Sequence, residues 1–320
     1  GVFGHKARDC PTTKAVSVVP PEPAVFAPSP APAPKLPAQS CPRTLRNSEF
    51  LTRYDATPRA PETRDELGQI VADFMRTYCK IKDIPWDCPP RGTEMMSWDP
   101  QTPGGRYTKR LFEEENANVD KQVSPGRSAV RLWTSAITET SLPEFCTILC
   151  EVVRNDWREL MSHSASIMRA INQECCVGKH RLGEAAMRPP GGVCYRGGGF
   201  NDACRGFFTA ERKFRQPAFL ATSFQEHVAR RFIARSTMSS RVLWRIIIDP
   251  QRGCMHANLI NEDMTNVQGE SEYLFAPYSV FTVRRATWAA GTVADPHVIE
   301  LLAAPDNRGE PLDLQLAPWS

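Results

Sequence analysis

The sequence predicts an α+β domain whose helices occupy the first half and whose strands occupy the second. Three observations lead there. Between residues 60 and 176, apolar residues recur at helical spacing, as in Leu67, Ile70, Val71, Phe74, Met75 and Tyr78. From residue 193 onward the apolar runs shorten to strand length and fill with β-branched residues, a prominent one lying at 241–249 and ending in Asp249-Pro250. Helices first and strands afterwards fit α+β better than repeating βαβ units.

Taken in order, residues 11–59 read as a linker. Their first part, 11–44, is crowded with Pro, Ala, Val and Ser, a composition that builds neither helices nor sheet ladders. The folded domain is expected over 60–303, with a C-terminal tail at 304–320. Pro61-Glu62-Thr63-Arg64-Asp65-Glu66 opens a helix with acids in its first turn, running to Cys79. Residues 83–127, rich in Pro, Gly and charge, read as irregular loops with a short helix near 111–116. Helices follow at 128–138, 142–160 and 162–176. Strands are expected at 193–196, 218–222, 241–249, 272–275, 279–289 and 296–303. One helix interrupts them, starting at Phe224 with Val228, Ala229, Phe232 and Ile233 on its apolar face.

Composition narrows the class. The 320 residues are 41% hydrophobic and 23% charged, and 39 basic against 36 acidic residues leave a net charge of +3. That near balance gives no support by itself to nucleic-acid or anionic-membrane binding. No apolar run approaches the roughly 20 residues of a membrane helix. Eleven cysteines at irregular spacing, several inside apolar segments, read as buried free thiols and favour a reducing compartment, intracellular and cytoplasmic. The chain begins at Gly1 rather than Met, which reads as a fragment or a processed product.

The chemistry gathers around Val193-Cys194-Tyr195-Arg196-Gly197-Gly198-Gly199-Phe200, an apolar strand that breaks into an arginine and a glycine turn. Guanidinium offers fixed planar donors suited to a phosphate, and glycine admits a ligand close to the backbone. Two later segments complete a pattern: Ala221-Thr222-Ser223-Phe224, and Glu270-Ser271-Glu272 followed by Tyr273-Leu274-Phe275-Ala276-Pro277. In the order Arg, Ser, Glu, each at a strand end, these resemble the Arg-Ser-Glu class of mono-ADP-ribosyltransferases, the cholera-toxin-like group that includes the vertebrate ecto-enzymes. The resemblance covers about 60–303. Ala221 departs from the first serine of the family's Ser-Thr-Ser turn, and Tyr273 is bulkier than the residue usual after the last Glu.

The resemblance implies a helical half packed on a two-sheet, mostly antiparallel β core, and an enzyme that cleaves NAD at the nicotinamide–ribose bond and passes ADP-ribose to an acceptor. NAD is then the substrate and no metal is required. Glu272 would stabilise the oxocarbenium-like ribose and hold its 2′-hydroxyl. Arg196 would clamp the pyrophosphate, and the Gly197 backbone would meet the nicotinamide amide. Ser223 would hydrogen-bond Glu272 and fix its rotamer, with Thr222 and Phe224 also at the NAD site. Glu270 would receive the attacking group. Gln268-Gly269-Glu270-Ser271-Glu272 permits two registers. The apolar run directly after Glu272 selects Glu270-x-Glu272, the arginine-directed subgroup, with a protein arginine as acceptor.

Blander roles stand beside these. Ser223-Phe224-Gln225-Glu226 has the form of a helix capping box, and Glu270 and Glu272 have the form of a solvated strand end. The three glycines lack the spacing and context of a dinucleotide phosphate loop. At the N-terminus, His5 and Cys10 have the spacing of the second half of a retroviral-type zinc knuckle. Two ligands cannot close a zinc site without upstream cysteines. The rival expectation is therefore a nucleic-acid-binding protein with an inactive transferase-like scaffold, or a transferase acting on nucleic acid.

Overall fold

The structure is a computed structural model that describes residues 44–57, 59–86, 101–116, 123–177, 188–260 and 264–318. His5, Cys10 and the Pro/Ala-rich stretch up to 43 lie outside the described residues. Seven α-helices and eight strands are placed among the described ones. The helices are α1 Glu49–Ala56, α2 Arg64–Ile81, α3 Pro103–Asn116, α4 Pro125–Trp133, α5 Phe145–Asn155, α6 Arg158–Asn172 and α7 Glu226–Arg235.

The first six helices form one layer around α6, which packs against α1, α2, α4 and α5. Phe50, Val71, Phe74, Leu149 and Ile167 meet in its core. Helix α1 lies inside the stretch read as linker. The Ser48 hydroxyl caps it by accepting from the Leu51 N–H, Phe50 is fully buried, and Arg158 pairs with Glu49 at 2.5 Å. These few anchoring residues sit beside a proline-rich segment whose composition dominates the reading of the window.

Two other helix boundaries differ from the expectation for local reasons. Pro103-Gly104-Gly105 starts α3 instead of a loop. Proline suits a first helical turn, and the Thr102 hydroxyl accepts from the Gly105 N–H. Gly104 allows a close approach, since a Cβ there would lie 2.8 Å from the Trp86 ring. The break between the helices expected at 142–160 and 162–176 falls earlier, because Asp156 takes the left-handed conformation (φ 49°) and ends α5.

The strands are β1 Val193–Phe200, β2 Lys213–Gln216, β3 Leu220–Ser223, β4 Ser240–Ile247, β5 Ala257–Leu259, β6 Glu272–Phe275, β7 Ser279–Thr287 and β8 His297–Ala303. They form one eight-stranded mixed sheet in the order β2-β7-β8-β4-β1-β3-β6-β5. All pairings are antiparallel except β4 with β8. The expected two sheets are two parts of this sheet joined by a narrow seam. β1 pairs with β4 along its whole length but with β3 only at Tyr195↔Ser223. Leu274 joins the helical core, while Tyr273 and Phe275 join a second core within the sheet, with Phe214, Trp244 and Phe281. Alternation along β6 thus ties the layers together.

The segment after 303 is tied into the fold and is not a free tail. Leu316 and Ala317 are buried, and the backbone of Arg215 exchanges hydrogen bonds with Gln315 and Ala317. The Arg215 guanidinium, itself buried, donates to the carbonyls of Tyr278, Asn307, Glu310 and Pro311.

Candidate active site

Arg196, Ser223 and Glu272 stand on the three adjacent strands β1, β3 and β6, at the seam. The register sets Tyr195 opposite Ser223, and Ser223 opposite Glu272. Residues separated by 27 and 49 positions in sequence are therefore neighbours across ladders. The Arg196 Nη1 donates to the Ala221 carbonyl of β3 at 2.8 Å, which holds the guanidinium over the seam. Among the described residues this is its one hydrogen bond, and guanidinium has five N–H donors. Burial pulls the Arg196 pKa down, and nearby Cys150, Cys146 and Glu272 oppose that effect.

Glu272 is the most perturbed acid of the group. Burial raises its carboxyl to about 7, and Glu270 and Glu144 push the same way. The Trp133 indole, which donates to Oε1 at 3.0 Å, and the Arg196 charge push it down. Burial also raises Glu270, against the pull of Arg231 and Arg235 on α7. Two carboxylates with unequal surroundings, one of them poised near neutrality, can divide electrostatic and proton-accepting work.

The turns flanking the site are laced together. The Ser223 hydroxyl donates to the Glu270 carbonyl at 2.5 Å and accepts from the Gln225 N–H at 2.9 Å. Phe224 N–H donates to the Ser271 carbonyl, and the Gln225 amide donates to the Ser271 hydroxyl. Before β6, Gly269 (φ 75°) and Ser271 (φ 44°) both take the left-handed conformation, so the residue between the two acids is a kink.

Several expected roles are filled differently. Ser223 positions the Glu270 backbone, and the side-chain bond to Glu272 comes from Trp133. Helix α7 begins two residues later than a Ser223 cap requires: its cap residue is Gln225. The Thr222 hydroxyl donates to the Tyr273 carbonyl at 2.6 Å and is buried. Phe224 packs on Tyr273 with ring centroids 5.1 Å apart. The three glycines do not form a turn but lie within β1. Gly197 answers a helix: a Cβ there would fall 1.7 Å from the Ala229 carbonyl oxygen of α7.

A cavity of about 500 Å³ adjoins the seam, with Arg196, Gly198, Arg154, Asn201 and Gln216 in its wall beside aromatic rings such as Trp244. Glu272 and Ser223 do not line it. Sequence reading missed Trp133, Glu144 and Arg154. Each lies on or beside a helix of the first half, at a spacing that reads as core or solvent face. Among the described residues no group of three or more His, Cys, Asp or Glu is placed to hold a metal, and no helix is long and apolar enough to cross a membrane.

No family model matches the chain, and no curated protein matches it. Among solved structures the chain is similar to the ADP-ribosyltransferase Vis, from Vibrio splendidus, in complex with agmatine (TM-score 0.41, 15% identity, 72% of this chain and 96% of that one). It is also similar to the ADP-ribosyltransferase HopU1 of Pseudomonas syringae (TM-score 0.42, 15% identity, 74% and 98%). A third is exoenzyme S from Pseudomonas aeruginosa, in complex with human 14-3-3 protein beta and bound to carba-NAD (TM-score 0.42, 16% identity, 64% and 90%).

Proposed function

We propose that this protein is a mono-ADP-ribosyltransferase that cleaves NAD and transfers ADP-ribose to an arginine side chain of an acceptor protein. The observation that carries the reading is the register Tyr195↔Ser223↔Glu272 across β1, β3 and β6, which gathers an arginine, a serine-held turn and a half-buried carboxylate at one seam.

The chemistry asks for what these residues offer. Loss of neutral nicotinamide leaves positive charge on the ribose, and an ionised Glu272 beside that carbon stabilises it in surroundings that screen charge weakly. The unengaged donors of Arg196 fit a pyrophosphate, which orients the dinucleotide without covalent chemistry. The cavity beside Arg196 has the size of a ligand pocket and adds Arg154 and two side-chain amides. Glu270, held through its own carbonyl by Ser223, is the acceptor for an incoming guanidinium. Proton removal from that guanidinium accompanies its attack on the ribose carbon as nicotinamide leaves.

The experiment is nicotinamide release from NAD, followed by transfer of labelled ADP-ribose to polyarginine or to DNA. The expected result is release by the wild-type chain, its loss in Glu272→Gln, and label on polyarginine. Label on DNA alone would overturn the arginine acceptor, and absence of release would overturn the enzyme.

A further inference from the structure

Helix α4 ends against the site at three points. The Trp133 indole N–H reaches Glu272 Oε1 at 3.0 Å. The Asn266 backbone N–H donates to the Thr134 hydroxyl at 3.0 Å, and the Asn266 side-chain amide donates to the Arg131 carbonyl at 2.8 Å. Asn266 belongs to the segment that turns into Glu270 and Glu272. One helix end therefore holds both the carboxylate and the approach to its strand. Trp133 is itself fixed: it is 4% exposed, and its ring lies 5.0 Å from that of Phe219, which directly precedes β3. Arg131, two residues earlier, is buried and donates to the Glu114 and Glu115 carbonyls of α3, which anchors α4 from behind.

We propose that Trp133 is the positioning residue of Glu272, its indole N–H holding the carboxylate in the orientation it needs and coupling it to the 264–271 segment. The inference rests on the assignment of Glu272 to NAD cleavage for its consequence in catalysis, but not for the contact itself. An indole nitrogen donates and cannot accept. It therefore favours the ionised carboxylate and gives the proton on a carboxylic acid no partner. The other groups facing Glu272 are Arg196 from β1, Glu270 from the preceding turn, Glu144 at the head of α5 and the Cys146 thiol on α5. Of these only Arg196 also favours ionisation, so loss of the indole leaves the burial effect opposed from one side alone. A fixed donor to one oxygen also leaves the second oxygen to face a ligand.

Two measurements on the intact chain test this. In the first, the Trp133 indole N–H resonance, assigned by its loss in Trp133→Phe, is followed with pH. Its expected midpoint is that of the Glu272 side-chain carboxyl carbon, and Glu272→Gln should abolish the titration. Trp133→Phe keeps the ring against Phe219 and should move the Glu272 midpoint up by about one pH unit. An indole signal that does not titrate, or a Glu272 midpoint unmoved in Trp133→Phe, overturns the proposal whether or not NAD is cleaved. In the second, the acid limb of nicotinamide release should shift up by the same interval in Trp133→Phe. At pH 7, kcat should fall about fivefold and KM for NAD should change less than about threefold. A shifted resonance without any NAD cleavage by the wild type would leave the contact standing and overturn the enzymatic reading instead.

Discussion

The Ala229 carbonyl oxygen of α7 occupies the place that a Cβ on Gly197 would take, 1.7 Å from it. The obstacle is backbone, so it cannot swing aside as a side chain does. Gly197→Ala should lift α7 from β1 and lower stability by roughly 2–4 kcal/mol. The expected reading is a lower urea midpoint with an unchanged slope. Gly198→Ala is the control: nothing lies within 4 Å of its Cβ, and its expected effect is below about 0.5 kcal/mol.

Glu272 links activity to pH. Its carboxyl titrates at about 7 in the fold, against 4.5 for an ordinary glutamate. In the proposed reaction the ionised form is the one that serves, so nicotinamide release should rise with pH to a plateau, half-maximal near 7. A rate flat between pH 5 and about 9 would remove Glu272 from the reaction.

The same group makes stability fall in the opposite direction. Between about 4.5 and about 7 the folded state keeps a proton that the unfolded state has lost. Its contribution therefore declines as pH rises through that window and is level above it. Replacing Glu272 with Gln should stabilise the protein at pH 8 by about 1–3 kcal/mol and by much less at about pH 4. Thermal melts of both proteins at the two pH values measure this.

Ser223 serves two backbone groups, the Glu270 carbonyl and the Gln225 N–H. Ser223→Ala should cost about 1–2 kcal/mol. Because it frees the backbone of Glu270 more than that of Glu272, transfer to an acceptor should fall further than hydrolysis of NAD. The ratio of labelled polyarginine to free ADP-ribose reports this.

Arg196→Lys keeps a positive charge but loses the planar fork. The expected result is a fall in kcat/KM of roughly 10- to 100-fold, carried mainly by KM for NAD. An unchanged KM would separate Arg196 from dinucleotide binding.

The α+β character and most of the long elements were legible because hydrophobic period is a local property. The neighbours that give a local pattern its meaning were not. Gly197 to Gly199 read as a turn because glycine most often relieves the backbone, whereas Gly197 makes room for a helix 32 residues downstream. α1 was hidden by the proline-rich composition before it. The motifs led to Ser223 and Glu272, which stand at strand ends as expected, and to Arg196, which stands in mid-strand within β1. No motif led to Trp133, since its partner lies 139 positions away and an indole on an apolar helix face has the appearance of core. Thr222 fell within the right motif but faces the other way, because side chains alternate along a strand.

The four carbonyls that receive Arg215 follow it in the chain by 63 to 96 residues. During synthesis this cation is made long before its acceptors. A guanidinium without partners is too costly to enclose, so the edge of the sheet at β2 stays open to water until Pro311 has emerged from the ribosome. The seam at Arg196 needs only strands completed by Phe275. Arg196, Ser223 and Glu272 can thus assemble on the growing chain before its outer edge is sealed.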